Sequence, residues 1–570
     1  MTSSSELRQR FLSFFEKKGH KIAPSSSLLP ADPSVLFTTA GMQQFKEYFL
    51  GKESPFGNKV ASCQKCFRTS DIEEVGDKNH LTFLEMLGNF SFNDYFKEKA
   101  IKLAYEFIFQ ELKLPKDKAI ITVFKGDKEV PFDKESFLIW KNLGISEKAI
   151  KRCGRADNFW GPTGDQGPCG PTTEIYFGDT EVWNLVFNEY YQDKNNKLTL
   201  LKQKGVDTGM GLERLAMICQ GKSSVYETDL FSPIIKEIKN SEFNKRSEKI
   251  IADHIRGAVF LTAEGIFPSN IERGYVLRRV LRRAIRYGKI LNLPKNFLTS
   301  LAEKVIEIYQ ETYPEIKSKE VDILTIIQKE QEKFEETLDR GEKEFKYQIT
   351  KFSSPLKAEN RNLKVKTIPG DIAFDLYQSY GFPLELIKEL ADEQGFNLDE
   401  KGFLRAQKKH REISRAGKEK KFGGGGKFSP KLHTATHLLQ AALRKVLGED
   451  VKQMGSDITF ERLRFDFFRT SQKMTEQEIK RVEDLVNQKI TEDLEVKKEE
   501  MSYKEAIELG ALAFFREKYP EKVTVYSINN FSKEICAGPH VKRTSELGKF
   551  KIIKEESSGS GVRRIRAILK

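Results

Sequence analysis

Three quarters of the way along this 570-residue chain stands the run KEKKFGGGGKFSP, residues 418–430. A basic stretch, four consecutive glycines and a proline form a poor continuation for either a helix or a strand, so the run reads as a linker. One hydrophobic core cannot extend through it, and the length is enough for several domains. Upstream, residues 1–231 mix short β-like runs with helices and Gly/Pro turns, which reads as an α+β domain. Within it VWNLVFNEYY (182–191) reads as a strand, and DTGMGLERLAMICQ (207–220) as a tight glycine turn opening a helix. Residues 232–417 turn helical, with apolar residues at helical spacing in 249–265 and 273–291 and a further helical stretch in 371–420. Beyond the linker, residues 432–570 begin with an amphipathic helix and end in β-like segments such as GKFKIIKEE.

The N-terminus, MTSSSELRQRFLSFFEKKGH, is a polar cap before an amphipathic helix rather than a signal peptide, and no apolar run is long enough to span a membrane. Six cysteines in a chain this long argue against a disulfide framework, so the expected setting is a reducing cytoplasm. The formal net charge of +13 is a modest pointer to nucleic acid, because lysine richness alone can produce it.

Two short motifs point to a metal. HTATHLL sets His433 and His437 four residues apart on one helix face, and CAGPH supplies Cys536 and His540 from a turn. Three imidazoles and one thiolate suit tetrahedral zinc, and three of the chain's seven histidines fall in these motifs. The spacing leaves a structural and a hydrolytic role equally open. Cys63 and Cys66 form a CxxC without a matching second pair, and Cys153 and Cys169 fall in Gly/Pro turns; all four read as structural.

Three segments of the first domain are chemically dense. CFRTSDIEEVGDKNHLTFLEMLGNFSF (66–92) places Arg68 beside a turn, where it suits a phosphate, and follows it with His80 and Phe83. A Gly/Pro-dense loop at 155–177 carries Trp160, and VDTGMGLERL (206–215) carries Asp207 and Arg214. Taken singly, a surface arginine, a core phenylalanine and a glycine turn would account for most of this. Residues 270–289 hold Arg273, Arg278, Arg279, Arg282, Arg283, Arg286 and Lys289 with few acids interleaved. A solvated helix face is the plain reading; the scarcity of local acids favours an RNA backbone.

Together these segments have the look of a class II aminoacyl-tRNA synthetase. GHKIAPSSSLLPADPSVLFTTAGMQQF, FLEMLGNFSFNDYF, DNFW, WNLVF, VDTGMGLER, IADHIR, PSNIERGYVLRRVLRRAIRYG, LYQSYGFP and the HTATHLL/CAGPH pair resemble, in order and over nearly the whole chain, the alanyl-tRNA synthetase family. The resemblance implies an α+β multidomain protein. Its aminoacylation domain (1–231) would be an antiparallel sheet flanked by helices, followed by a helical domain for the tRNA acceptor stem (232–417). A Gly-rich linker (418–431) would lead to an α+β zinc-containing editing domain (432–570).

The implied substrates are ATP with Mg²⁺, L-alanine and the acceptor stem of alanine tRNA. Arg68, Arg214 and Asp207 match catalytic positions; Arg68, His80, Phe83, Gly209 and Arg214 match ATP-binding ones, with Phe83 at the adenine-stacking place. Met86, Trp160, Asn184, Val186 and Asp207 match the alanine pocket, Asp207 taking the ammonium group. Asn270 matches the residue that reads a G·U wobble pair, with Arg273, Arg278, Arg279, Arg282 and Arg283 beside it. Its usual aspartate partner is here Gln378, which keeps a carbonyl acceptor but loses the charge. The loop after Arg68 is also shorter than the family's, which bears on contacts to the acceptor end.

An alanine pocket rejects serine poorly, by about 10² in a comparable case, so hydrolytic editing of Ser- and Gly-tRNA is expected. Gln453 and Cys536 match editing positions, and His433, His437, Cys536 and His540 match the zinc ligands. The family's β-barrel segment before the editing domain and its coiled-coil and C-terminal domains have no counterpart up to Lys570, so a compact monomer is expected. The competing readings are a zinc-dependent trans-editing deacylase with a degenerate synthetase part, and a non-catalytic tRNA-binding protein. Intact Arg68, Asp207 and Arg214 speak against the first; the second predicts neither ATP–pyrophosphate exchange nor deacylation of Ser-tRNA.

Overall fold

A computed structural model describes the chain except residues 1, 33, 239–243, 354–366, 422–428, 450, 460, 470–472, 514–520, 537 and 560–561. The chain divides into two compact units, 1–339 and 340–570. The division falls inside the expected helical region, within the long helix Glu320–Ser353. Most of the glycine linker, 422–428, lies outside the described residues; its basic start, 418–421, ends a helix and Pro430 opens the next.

The first unit is built on one nine-stranded sheet. Its strands are β1 (Lys21–Ile22), β2 (Lys59–Phe67), β3 (Phe83–Phe92), β4 (Ala119–Phe124), β5 (Ile150–Cys153), β6 (Phe159–Trp160), β7 (Gly167–Phe177), β8 (Thr180–Gln192) and β9 (Leu198–Gly211). They run in the order β1-β2-β3-β9-β8-β7-β4-β5, with β6 paired against β7. All pairs are antiparallel except β1–β2 and β4–β5. The expected antiparallel sheet with flanking helices is therefore present.

Register at the centre of this sheet positions the site. β7 and β8 are joined by the two-residue turn Gly178–Asp179, with Phe177 opposite Thr180. Gly178 has φ +65°, the left-handed region where a residue without Cβ is unstrained. After a one-residue irregularity at Ile175/Tyr176, Glu174 lies opposite Asn184 and Thr172 opposite Val186. On the other side of β8, Asn184 lies opposite Gly209 and Val186 opposite Asp207. Side chains alternate along each strand, so this set shares one face and Trp183, Leu185, Phe187, Val206 and Met210 share the other. The second set is buried against Leu7, Phe11 and Phe15 of α1 (Ser4–Lys17), residues four apart on one helical stripe. Ser3 caps that helix by accepting from the Glu6 N–H. The Phe11 ring lies 5.8 Å from Trp183.

One local expectation is corrected. Residues 207–211 form no turn; they finish β9, and α2 (Leu212–Cys219) follows directly. Gly209 has no left-handed φ, and a Cβ there would come 3.0 Å from Met86 Sδ, so the glycine serves close packing against β3. Likewise Cys153 and Cys169 lie on β5 and β7, not in turns. The expected helices are α3 (Lys245–Ala263) and α4 (Glu272–Ile290), followed by α5 (Phe297–Tyr309) and α6 (Glu320–Ser353).

The second unit holds α7 (Glu400–Lys421), α8 (Pro430–Leu447) and α9 (Glu476–Thr491). Ser429 caps α8 and Pro430 occupies its first turn, where a missing N–H costs nothing. A capping box of Thr475 and Glu478 opens α9. Strands β10 (Thr367–Ile368) and β11 (Asn397–Leu398) pair in parallel. β12 (Gln453–Ile458), β13 (Leu463–Phe468), β17 (Phe550–Gly559) and β18 (Val562–Leu569) form a sheet in the order β12-β13-β18-β17; β14 (Val496–Ser502), β15 (Lys522–Ile528) and β16 (Ser532–Ile535) form another. Leu432, Leu439 and Leu443 of α8 bury against Val482 and Val486 of α9 and Phe465 of β13.

Candidate active site and candidate metal centre

An open cleft lies over one face of the first unit's sheet. Arg68, His80, Met86, Trp160, Asn184, Val186, Asp207, Gly209 and Arg214, scattered over 147 positions of sequence, all line it. Arg68 donates its Nε to the Thr39 carbonyl at 3.2 Å, and among the described residues no carboxylate pairs with its Nη groups. Arg214 is steadied by the Glu181 carbonyl (3.1 Å) and carboxylate (3.2 Å). His80 lies 2.6 Å through Nδ1 from Asp77.

Asp207 is buried, and burial alone pushes its carboxyl up to about 7. A carboxylate placed where no cation offsets its desolvation is a natural receptor for a ligand's ammonium group. Asn184 donates its Nδ2 to Glu174 at 2.8 Å, while its Oδ1 is buried without a partner.

Phe83 is a correction. It does not line the cleft: it is fully buried, stacked on Phe260 with centroids 3.8 Å apart and with the Arg256 guanidinium 4.9 Å from its ring. Strand alternation explains this, because the neighbours that face the cleft are Leu84 and Met86. Phe83 and Glu85 face the other way, where Glu85 accepts from Arg8 at 2.9 and 2.8 Å and from the Tyr313 hydroxyl at 2.8 Å. Sequence reasoning missed Leu84, although counting back two residues from Met86 identifies it. Glu181 and Glu213, two lining carboxylates near Arg214, were missed as well. Glu213 was legible as the neighbour of Arg214; Glu181 carried no local signal.

The arginine run of α4 also departs from expectation. Arg282 is buried and paired with the buried Glu330 of α6, Nε to Oε1 2.7 Å. Arg283 is buried, donates to the Ile72 carbonyl at 2.7 Å and sits 3.1 Å from His254 Nε2. These two arginines are structural and present no face to RNA. Arg279 pairs with Glu73, and Arg278 with Glu330 (3.3 Å), the Pro268 carbonyl (3.0 Å) and Asn270 Oδ1. Arg273 donates to the Leu36 carbonyl at 2.7 Å. The acids are absent from the local sequence because they arrive from elsewhere in the fold. Asn270 and, in the second unit, Gln378 are exposed.

In the second unit His433, His437, Cys536 and His540 converge, with one ligand atom from each lying within 4.8 Å of all the others. Cys536 Sγ and His433 Nε2 are 3.4 Å apart, inside the roughly 3.3–3.8 Å that tetrahedral zinc sets between its ligand atoms. Thr434 Oγ1 contacts His540 Nδ1 at 3.1 Å and accepts from the Val541 N–H at 3.2 Å, tying the CAGPH turn to α8. His540 Nε2 is then left buried without a partner. Burial lowers the pKa of His433, carries that of His437 well down and takes His540 to about 3, so all three imidazoles keep a lone pair at neutral pH. Gly538 is obligatory here: a Cβ would lie 1.9 Å from His433 Cε1.

The donor set and the orphaned ring nitrogens therefore fit a zinc ion. Glu534, missed in the sequence, lies buried with Oε2 3.5 Å from His437 Nε2. Gln453 begins β12 and donates to Ser456 Oγ at 3.0 Å; among the described residues no hydrogen bond, ion pair or ring contact joins it to the four. Cys63 and Cys66 are buried on opposite faces of β2, three residues apart, and make no paired site.

A family model described as tRNA synthetases class II (A) matches residues 6–479, and one described as Threonyl and Alanyl tRNA synthetase second additional domain matches 523–566. A protein named alanine–tRNA ligase from Borreliella afzelii (strain PKo) is 49% identical, covering 99% of both chains. One of the same name from Treponema pallidum (strain Nichols) is 46% identical over 99% of this chain and 98% of its own. Another from Petrotoga mobilis (strain DSM 10674 / SJ95) is 39% identical over 99% of this chain and 80% of its own.

Proposed function

The chain belongs to the alanyl-tRNA synthetase family, and from that premise we propose that its first unit joins alanine to AMP and then to tRNA, while its second unit hydrolyses mischarged tRNA. The observation that carries the first half is the buried, uncompensated Asp207 in the same cleft as Arg68 and Arg214. Asp207 and the orphan Asn184 Oδ1 take the ammonium group of alanine. Met86, Trp160, Val186 and Gly209 line the same pocket and limit the side chain to a methyl-sized group.

With the amino acid so held, its carboxylate attacks the α-phosphate of ATP. Arg68 neutralises the charge that builds there, and Arg214 with His80 holds the outer phosphates. Catalysis of this kind rests on positioning and fixed positive charge more than on proton transfer. Leu84 offers the apolar surface for the base. Glu181 supplies a hard oxygen ligand suited to Mg²⁺, whereas Glu213 is buried and paired with Arg256. Bound Mg²⁺ would offset phosphate charge.

In the second unit His433, His437, Cys536 and His540 would hold zinc, which when bound supplies a Lewis-acid site for the ester end of the tRNA. The match to the second additional domain supports an editing role. Asn270 and Gln378 are the proposed readers of the acceptor stem, with Arg273, Arg278 and Arg279 nearest to hand.

Two assays separate the readings. Alanine-dependent ATP–pyrophosphate exchange and deacylation of Ser-tRNA are both expected; deacylation without exchange would instead mean a trans-editing hydrolase. For the RNA, charging of G·U against G·C acceptor stems by wild type and Gln378→Asp tests the wobble reading. Equal charging of both stems by the wild type would overturn it.

A further inference from the structure

Glu174 lies outside the cleft's lining, yet it touches the residue on which recognition of the amino group depends. Glu174 Oε1 accepts from Asn184 Nδ2 at 2.8 Å, and Oε2 accepts from the Tyr176 hydroxyl at 2.8 Å and the Thr122 hydroxyl at 3.2 Å. Thr122 Oγ1 in turn accepts from Asn158 Nδ2 at 2.8 Å. Every donor in this chain points one way, toward the carboxylate. Glu174 and Thr122 are buried, so water does not substitute for a missing donor.

From this geometry we infer that Glu174 is a positioning residue that fixes the orientation of the Asn184 amide, so that its carbonyl oxygen rather than its NH₂ faces the amino group of the substrate. The physical reason is one of polarity. Burial, with the Glu181 carboxylate second, pushes the Glu174 carboxyl up to about 7. In its ionised form, which prevails above that pH and in which the exchange assay is run, it can only accept hydrogen bonds, so the end of the amide that faces it is the NH₂. The other end, Oδ1, is then left buried and unsatisfied, an acceptor with nothing to accept from until an ammonium arrives. A flipped amide would present two N–H donors to a cation. The cross-strand register supports the arrangement, since Glu174, Asn184 and Gly209 occupy adjacent positions on β7, β8 and β9. The inference rests on the alanine-pocket reading above and assigns that pocket an orienting carboxylate.

The test is steady-state ATP–pyrophosphate exchange with alanine and ATP varied separately. Glu174→Gln can meet Asn184 with either Oε1 or Nε2, so the Asn184 amide is no longer held to one orientation. The expected result is a KM for alanine raised about tenfold or more, with kcat and the KM for ATP within about twofold of wild type. A reciprocal pair guards against simple misfolding. Asn184→Asp sets two carboxylates face to face and should raise the alanine KM; adding Glu174→Gln should bring it back down, because the introduced amide can donate to the introduced carboxylate. Unchanged alanine KM in Glu174→Gln, alanine and ATP KM rising together, or a double variant no better than Asn184→Asp alone would each overturn the inference. A wild type without alanine-dependent exchange would sink the pocket reading itself, and this inference with it; an active wild type with an unaffected Glu174→Gln sinks only the orienting role.

Discussion

Asp207 carries the sharpest expectation at the scale of a single residue. Burial raises its carboxyl to about 7, so in the empty protein it is largely protonated below that pH. Alanine's ammonium must displace this proton, and alanine affinity should fall about tenfold for each pH unit below 7 while remaining flat above it. Calorimetric titration from pH 5.5 to 8.5 would read this; a flat profile would mean another anion receives the ammonium. The stability sign follows from the same shift. With a folded value above the unfolded one of about 3.9, the group's contribution to stability is full below about pH 4 and lost as pH rises to about 7. A second residue-scale test uses β3. Leu84→Ala should raise the KM for ATP, whereas Phe83→Ala should lower thermal stability by about 3–5 kcal/mol through loss of a stacked core ring, with the ATP KM moved far less. A selective rise of the ATP KM in Phe83→Ala would restore the adenine-stacking assignment. The types of the site residues were legible in the sequence, because Arg68, Asp207 and Arg214 sit in dense motifs. Which of Phe83 and Leu84 faces the cleft was a question of strand phase, and the neighbouring Met86 answers it by parity.

Helix α4 shows what a sequence withholds at the scale of an element. Its helical span and apolar stripe were legible from spacing, and so was its wealth of arginine. Its purpose was not, because Glu330 and Glu73 come from 48 positions downstream and 206 upstream. Charge scarcity within a window says nothing about charges brought in by the fold. Arg282→Ala leaves Glu330 buried without its main partner, at a cost of about 3–5 kcal/mol. The expected outcome is a lower midpoint of thermal unfolding, with no change in the salt dependence of tRNA binding among molecules that remain folded. A reduced salt slope at unaltered stability would return Arg282 to the RNA-binding set. Strand β9 makes the companion case. Its glycines were read as a turn because glycine commonly marks one, but at Gly209 close packing against Met86 also favours the lack of a Cβ, and local sequence does not separate the two uses.

For the whole molecule, the cleft lies within 1–339 and the cluster of His433, His437, Cys536 and His540 within 340–570, so the two proposed chemistries fall in separate compact units. Removing zinc with phenanthroline should therefore lower the thermal stability of the second unit and abolish deacylation of Ser-tRNA, while ATP–pyrophosphate exchange persists; re-added zinc should restore both losses. Exchange that collapses along with deacylation would show that the units do not act independently. The four residues that converge were legible from spacing, but the parts of Thr434 and Glu534, which touch two of them, were not: Thr434 is no metal-ligand type and Glu534 stands outside the CAGPH motif. The division inside α6 was equally hidden, because a continuous helix gives no local sign that it passes from one unit to the next.

The turn Gly178–Asp179 acts on the amino-acid pocket as a reading frame acts on a message. Gly178 sets its left-handed bend, and its length decides whether β8 shows Asn184 and Val186 to the cleft or Trp183 and Leu185. One inserted residue, unless a bulge absorbs it, is a frameshift in three dimensions, replacing the amino-acid pocket with an indole and an isobutyl group although every site residue is still encoded.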